Sequence, residues 1–109
     1  MRVAALYDVH GNVHALEAVV AELAREGVET IVLGGDVLWG PWPVETLELI
    51  KSLPVDVRWL RGNCERMLLD DHAAAAFVCE RLSPRDVDVL VSLPPTLSLD
   101  VEGLGRVLF

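Results

Sequence analysis

The chain has 109 residues, of which 52% are hydrophobic and 24% are charged, and its formal net charge is −8. This length corresponds to one domain at most, and the apolar fraction argues against intrinsic disorder. The negative charge argues against strong nucleic-acid binding, although bound cations would reverse the field within one cleft. Two cysteines, Cys64 and Cys79, are too few for a disulfide scaffold. No apolar run is long enough for a signal peptide or a membrane span, so we expect a cytoplasmic protein without membrane contact.

Short apolar runs alternate with helical periodicity along the chain, which is the pattern of an α/β fold. The run from Val3 to Tyr7 ends at Asp8 and predicts a strand buried on both faces. A helix follows, with Asn12 placed to cap its start and Gly27 to end it. Its apolar stripe consists of positions 13, 16, 19, 20 and 23.

The same unit then repeats. Thr30 to Leu33 predicts a second buried strand, Pro43 suits the first turn of a second helix, and Val55 to Leu60 predicts a third strand. Further helices are predicted near 65–69, 72–79 and 84–91, the last with Ser83 as its cap. A hairpin or two edge strands at 96–101 and 106–109 follow. The last of these runs ends without a turn signal, so we expect residues 1–109 to form a single, incomplete domain.

Polar side chains follow all three predicted strands. Asp8 and His10 come after the first strand, Asp36 after the second and Asn63 after the third. Because the carboxyl ends of parallel strands meet at one edge of a sheet, we expect these side chains to converge. Carboxylate, imidazole and amide oxygen together suit a divalent ion such as Mn²⁺, Fe²⁺ or Zn²⁺. The sequence therefore predicts a metal site at this edge.

Three segments carry a specific resemblance: Asp8-Val9-His10-Gly11-Asn12, Gly34-Gly35-Asp36 and Gly62-Asn63-Cys64-Glu65. In order, spacing and strand context they resemble the amino-terminal motifs of the calcineurin-like metallophosphoesterases, especially the small bacterial members. The resemblance implies part of an α/β/β/α sandwich, with parallel strands, crossover helices and a carboxyl-terminal hairpin. It also implies hydrolysis of phosphomonoesters or phosphodiesters by a metal-bound hydroxide at a dinuclear metal centre. The substrate would be a small phosphate ester.

The family pattern assigns Asp8 and His10 to a first metal ion, Asp36 to both ions and Asn63 to the second. Two divalent ions are implied as cofactors, drawn from Mn²⁺, Fe²⁺, Zn²⁺ and Ni²⁺. The family completes this site with later histidines, including a Gly-His-x-His pair, and none occurs in this sequence. The chain is therefore expected to supply only part of the site.

Four further residues stand beside these candidate ligands. Asn12 and Arg61 are expected to bind the substrate, although Arg61 is equally well placed for a surface salt bridge. Cys64 occupies the position where the family usually has a histidine that acts as a general acid or oxyanion stabiliser. The thiol is either a weaker catalytic acid or a small, half-buried apolar group. Glu65 is expected to stabilise a helix amino terminus through the helix dipole.

The sequence bears on two other functions, nucleotide binding and self-association without catalysis. A nucleotide-binding α/β domain is not indicated, because no Gly-x-Gly-x-x-Gly or Gly-x-x-x-x-Gly-Lys-[Ser/Thr] segment follows a strand. The alternative function is a truncated, inactive α/β module with a partial metal site. Such a module would form homo-oligomers through an exposed sheet edge, for which the apolar run Arg106 to Phe109 is the candidate.

Overall fold

The computed structural model describes residues 1–109 and contains five strands and five α-helices. In chain order these are β1 (Val3–Leu6), α1 (Val13–Arg25), β2 (Thr30–Leu33), α2 (Pro43–Lys51), β3 (Asp56–Trp59), α3 (Asn63–Arg66), α4 (Ala73–Arg81), α5 (Pro84–Val91), β4 (Ser98–Val101) and β5 (Gly105–Leu108). A single 3₁₀ turn, Met67–Leu69, separates α3 from α4. The predicted α/β architecture, with crossover helices between parallel strands and a carboxyl-terminal hairpin, is confirmed. None of the helices combines the length and the apolar character needed to cross a membrane.

The three parallel strands lie in the order β1-β2-β3, and the antiparallel pair β4-β5 forms a second sheet. Leu6 pairs with Leu33, and Leu33 pairs with Trp59, so the three strands end level with one another. The loops that follow β1, β2 and β3 therefore leave the sheet side by side. This register brings the three sequence motifs to one edge, as parallel topology requires.

The prediction that β1 is buried on both faces was wrong. Only the central strand β2 is buried along its whole length, whereas Ala5 of β1 is exposed. Tyr7, which was expected to belong to the strand, lies beyond it with 54% of its surface exposed. The physical reason is that β1 is an edge strand with a neighbour on one side only.

The hydrophobic core lies between the parallel sheet and the helices. α1 contributes Val13 and Leu16 fully, whereas Val19 of the predicted stripe is 39% exposed. The core cluster also includes residues from β2, α2, α4 and α5, among them Ile31, Leu33, Leu47, Ile50, Val78, Val87 and Leu90. Burial of these side chains is the main source of stability, because apolar surface removed from water contributes about 25 cal/mol per Å².

The predicted helix caps are confirmed. Asn12 Oδ1 accepts a hydrogen bond from the backbone N–H of Ala15 at 3.1 Å, which starts α1. Gly27 follows the end of that helix with φ of +68°, the left-handed conformation that glycine adopts without strain. Ser83 Oγ accepts from the backbone N–H of Asp86 at 3.1 Å and caps α5.

An ion pair joins α2 to α5. Lys51 Nζ lies 3.1 Å from Asp86 Oδ1, and this hydrogen bond, followed by one involving Ser83, lowers the pKa of Asp86 below its usual value of 3.8. We expect Lys51→Ala to reduce the free energy of unfolding at neutral pH by about 0.5 kcal/mol, since the pair is largely solvated. A depressed carboxyl pKa gives stability that is present above the unfolded pKa and lost as the pH falls through the folded pKa. Urea denaturation of both proteins at neutral and strongly acidic pH checks this. If the difference in free energy of unfolding between them is as large in acid as at neutral pH, the prediction is contradicted.

Candidate metal centre

The loop after β1 is attached to the loop after β2 by backbone hydrogen bonds. The N–H of His10 donates to the carbonyl of Asp36 at 2.9 Å, and the N–H of Gly11 donates to the carbonyl of Val37 at 2.7 Å. A weaker bond runs from the N–H of Asp8 to the carbonyl of the residue before Asp36, at 3.3 Å. The first two motifs therefore form one unit, although Asp8 and Asp36 are 28 positions apart in the sequence.

Backbone strain is concentrated in this unit. Asp8, His10 and Asp36 have φ values of +57°, +50° and +56°, and they are the only residues other than glycine with positive φ. The left-handed conformation costs such residues about 1 kcal/mol each. Strain of this kind persists where the surrounding structure enforces it and is typical of functional sites. The three strained residues are three of the four candidate ligands.

The strained loops bring three ligand-type side chains together. Atoms of Asp8, His10 and Asp36 that can bind a metal all lie within 4.8 Å of one another. Ligands of one cation stand at most about 4 Å apart, so small rotations would bring them to bonding distance. His10 Nε2 lies 3.9 Å from Asp8 Oδ1. The other ring nitrogen, Nδ1, is 3.0 Å from the carbonyl oxygen of Trp39, so an Nδ1–H donates there and leaves the lone pair of Nε2 free to accept or to bind a metal.

Asn63, the fourth candidate, lies against Asp36. With its amide nitrogen turned inward, the side chain donates to Asp36 Oδ2 at 3.0 Å and to Oδ1 at 3.2 Å. Rotation of the amide by half a turn would place its oxygen beside both carboxylate oxygens. Three oxygens at that spacing repel one another unless a cation lies among them. The donor atoms around Asp36 therefore fit divalent cations held by its carboxylate together with Asn63 or with Asp8 and His10.

Cys64 follows Asn63 and contacts the same carboxylate. Its backbone N–H donates to Asp36 Oδ1 at 2.9 Å. Burial, followed by a hydrogen bond between the thiol and Asp36 and by nearby carboxylates, raises the pKa of Cys64 to about 12. The thiol is therefore protonated at neutral pH, and its raised pKa makes it a weak acid.

Glu65 has a role that the sequence reasoning missed. It was expected to act through the helix dipole, yet it is only 3% exposed and accepts hydrogen bonds from backbone N–H groups of both neighbouring loops. A capping-box spacing, with Glu65 three residues after Gly62, is the one sequence signal for part of this arrangement. The contacts with the loop after β2 have no such signal.

The two predicted substrate-binding residues lie in different surroundings. Asn12 is exposed, and its Oδ1 caps α1 while its amide nitrogen makes no hydrogen bond within the chain. Arg61 is half-buried, and its guanidinium donates to the carbonyl of Val91 at the end of α5, at 3.4 Å.

Comparisons with known proteins agree with this geometry. The family model for calcineurin-like phosphoesterases matches residues 1–105. Among solved structures, the chain is similar to a metallophosphoesterase from Sphaerobacter thermophilus, with 31% sequence identity and a TM-score of 0.69. The similarity covers 89% of this chain and 43% of that structure's chain, so this chain spans less than half of its length. No match was found among curated proteins. The chain belongs to the calcineurin-like phosphoesterase family.

Proposed function

We propose that Asp8, His10, Asp36 and Asn63 bind divalent cations and that the protein hydrolyses phosphomonoesters or phosphodiesters. The observation that carries this proposal is the convergence of Asp8, His10 and Asp36 within 4.8 Å, with Asn63 against the Asp36 carboxylate. Family membership supports the phosphoesterase class, and the donor set supports the metal dependence. The substrate would be a small phosphate ester.

The position of Asp36 supports a dinuclear centre. Its carboxylate lies within 4.8 Å of the ligand-type atoms of Asp8 and His10 and also has the Asn63 amide against both its oxygens, so it is the residue best placed to be shared by two ions. Bound divalent ions would activate water and neutralise charge on the phosphoryl oxygens. The chain's own contribution is to hold these donors in place: the Trp39 carbonyl orients the His10 ring, and the Cys64 N–H orients the Asp36 carboxylate.

Substrate contacts are proposed for two residues beside this site. The amide nitrogen of Asn12 is available to donate to a phosphoryl oxygen, because only its Oδ1 is used by the helix cap. Arg61 would pair with a phosphate oxygen after its guanidinium leaves the long contact with Val91. The protonated Cys64 thiol is proposed to donate a proton to the leaving group.

Titration calorimetry with Mn²⁺, combined with an assay on bis(p-nitrophenyl) phosphate, tests the proposal. Two equivalents of Mn²⁺ and metal-dependent turnover are the expected results. One equivalent or none, with no turnover above the solution rate, would contradict the enzymatic proposal. That result would favour the alternative, an inactive module with a partial metal site, and sedimentation analysis would then show whether it self-associates through its sheet edge.

The identity of the residue at position 64 is expected to govern the choice of leaving group. A thiol is a poorer acid than an imidazolium, so the parent protein should strongly prefer activated p-nitrophenyl esters over alkyl esters. Cys64→His should raise the rate on an alkyl phosphate by about 100-fold and change the p-nitrophenyl rate much less, because general acid catalysis matters most for poor leaving groups. Rates of both esters, measured with both proteins, check this. Equal effects on the two esters would contradict a proton-donor role.

A further inference from the structure

Beyond the candidate ligands themselves, one buried carboxylate contacts the backbone that carries them. We propose that Glu65 is a positioning residue, which holds the loop after β2 and through it fixes the places of both Asp36 and His10. This inference rests on the proposed metal-binding function. It assigns to Glu65 no contact with metal or substrate.

Glu65 accepts hydrogen bonds from three backbone N–H groups. Its Oε2 accepts from the backbone N–H of Asp36 at 2.9 Å and from that of Gly62 at 3.2 Å. Its Oε1 accepts from the backbone N–H of Val37 at 3.2 Å. No cationic side chain forms an ion pair with Glu65, although it is 3% exposed. The hydrogen bonds from three backbone N–H groups therefore offset the loss of hydration of this buried carboxylate.

The backbone of Asp36 and Val37 forms hydrogen bonds to Glu65 and also to the loop after β1. Asp36 and Val37 direct their N–H groups to Glu65, while their carbonyl oxygens accept from the N–H groups of His10 and Gly11 at 2.9 and 2.7 Å. The loop after β2 thus lies between Glu65 and the loop after β1. A displacement of this loop would move Asp36 directly and His10 through the backbone bonds.

The loop after β2 is strained at Asp36. Asp36 holds φ at +56°, which a non-glycine residue does not adopt without support from its surroundings. Close packing supplies part of that support: a Cβ at Gly62 would lie 2.5 Å from Asp36 Oδ1. The hydrogen bonds that the Asp36 and Val37 N–H groups donate to Glu65 supply a directional part, since they engage the backbone on both sides of the Asp36 carbonyl carbon. Removal of these bonds should release the loop toward unstrained conformations.

Glu65→Gln tests the proposal because it keeps the size and shape of the side chain and removes one acceptor oxygen. An amide nitrogen would then face a backbone N–H, so at least one of the three bonds is lost. We expect the Kd for Mn²⁺ to rise by about 10–100-fold, as observed when groups that orient metal ligands are removed. The matched control is Leu23→Ala, which removes core packing near the carboxyl end of α1, beside Val28 and Val55 at the amino ends of β2 and β3. Its Kd should equal that of the parent at a temperature where both are folded.

Amide hydrogen exchange gives a second readout that needs no metal. In Glu65→Gln, exchange of the His10 and Gly11 amides should accelerate by more than 10-fold, although neither amide contacts Glu65. Amides of β2 should keep their protection. Parent-like exchange at His10 and Gly11 would overturn the proposal, as would a parent-like Kd for Mn²⁺. If Glu65→Gln does not fold, Glu65→Asp, which keeps both oxygens but shortens the side chain by one methylene, is measured in the same way.

The two readouts separate failure of this inference from failure of the proposed function. A parent protein that binds no Mn²⁺ would contradict the metal-binding function, while the exchange rates at His10 and Gly11 would still decide whether Glu65 holds the loops. A parent that binds Mn²⁺, with Glu65→Gln binding equally well, would contradict only the positioning role.

Discussion

Asp36→Asn is expected to lower the affinity for Mn²⁺ by at least about 100-fold and to remove phosphoesterase turnover. Loss of a group that merely orients a metal ligand costs 10–100-fold in affinity, so loss of a charged ligand placed between two ions should cost about 100-fold or more. The substitution keeps the shape of the side chain and one carbonyl oxygen. That oxygen can still accept from the N–H of Cys64, which now contacts Oδ1 at 2.9 Å, so the fold should be retained.

Calorimetry with Mn²⁺ and the assay on bis(p-nitrophenyl) phosphate measure this effect, and circular dichroism confirms folding. Asp88→Asn is the matched control, because it removes one negative charge from an exposed position on α5. The control separates loss of a ligand from the general effect of a less negative surface on cation binding. Equal Mn²⁺ affinity of Asp36→Asn and the parent would contradict the proposed site.

Gly40→Ala is expected to lower the free energy of unfolding by about 3 kcal/mol or more and to weaken Mn²⁺ binding. A Cβ on Gly40 would lie 1.6 Å from the carbonyl oxygen of His10, and the obstacle is backbone that cannot rotate away. The loop after β1 would have to move outward. That movement would break the bonds that the N–H of Gly11 makes to Val37 and the N–H of Trp42 makes to Gly11, at 2.7 and 3.1 Å.

Gly103→Ala serves as the comparison for this effect. Gly103 has φ of +86°, but a Cβ there would meet nothing within 4 Å. Its substitution should cost only the 1–2 kcal/mol of a left-handed backbone, and it should leave Mn²⁺ affinity unchanged. Urea denaturation and calorimetry on both variants provide the test. A Gly40→Ala protein as stable as Gly103→Ala would show that the two loops are not tightly packed.

The positions of the four candidate ligands could be predicted from the sequence because of a simple geometric rule. Asp8, Asp36 and Asn63 each follow an apolar run, and parallel strands in register deliver such residues to one edge. The rule predicts proximity, and proximity is what the structure shows for Asp8, His10 and Asp36. Their assignment as ligands comes from the family resemblance and stays a prediction until metal binding is measured.

Local chemistry also determined the helix boundaries. Asn12, Gly27 and Ser83 act within a few residues of their own position, so their types alone indicate where helices begin and end. The exposure of β1 is the opposite case. An apolar run reads the same in a central strand and in an edge strand, and only the assembled sheet distinguishes them.

The sequence by itself therefore determined the α/β class, the strand-end motifs and the caps, because each depends on periodicity or on neighbours close in the chain. The tertiary structure alone decided what holds the site together. The Trp39 carbonyl that orients the His10 ring is 29 positions from His10 in the sequence. The Asp36 N–H that donates a hydrogen bond to Glu65 is also 29 positions from Glu65. Backbone carbonyl and N–H groups are present at nearly every position, so residue types cannot reveal which of them a buried side chain will meet.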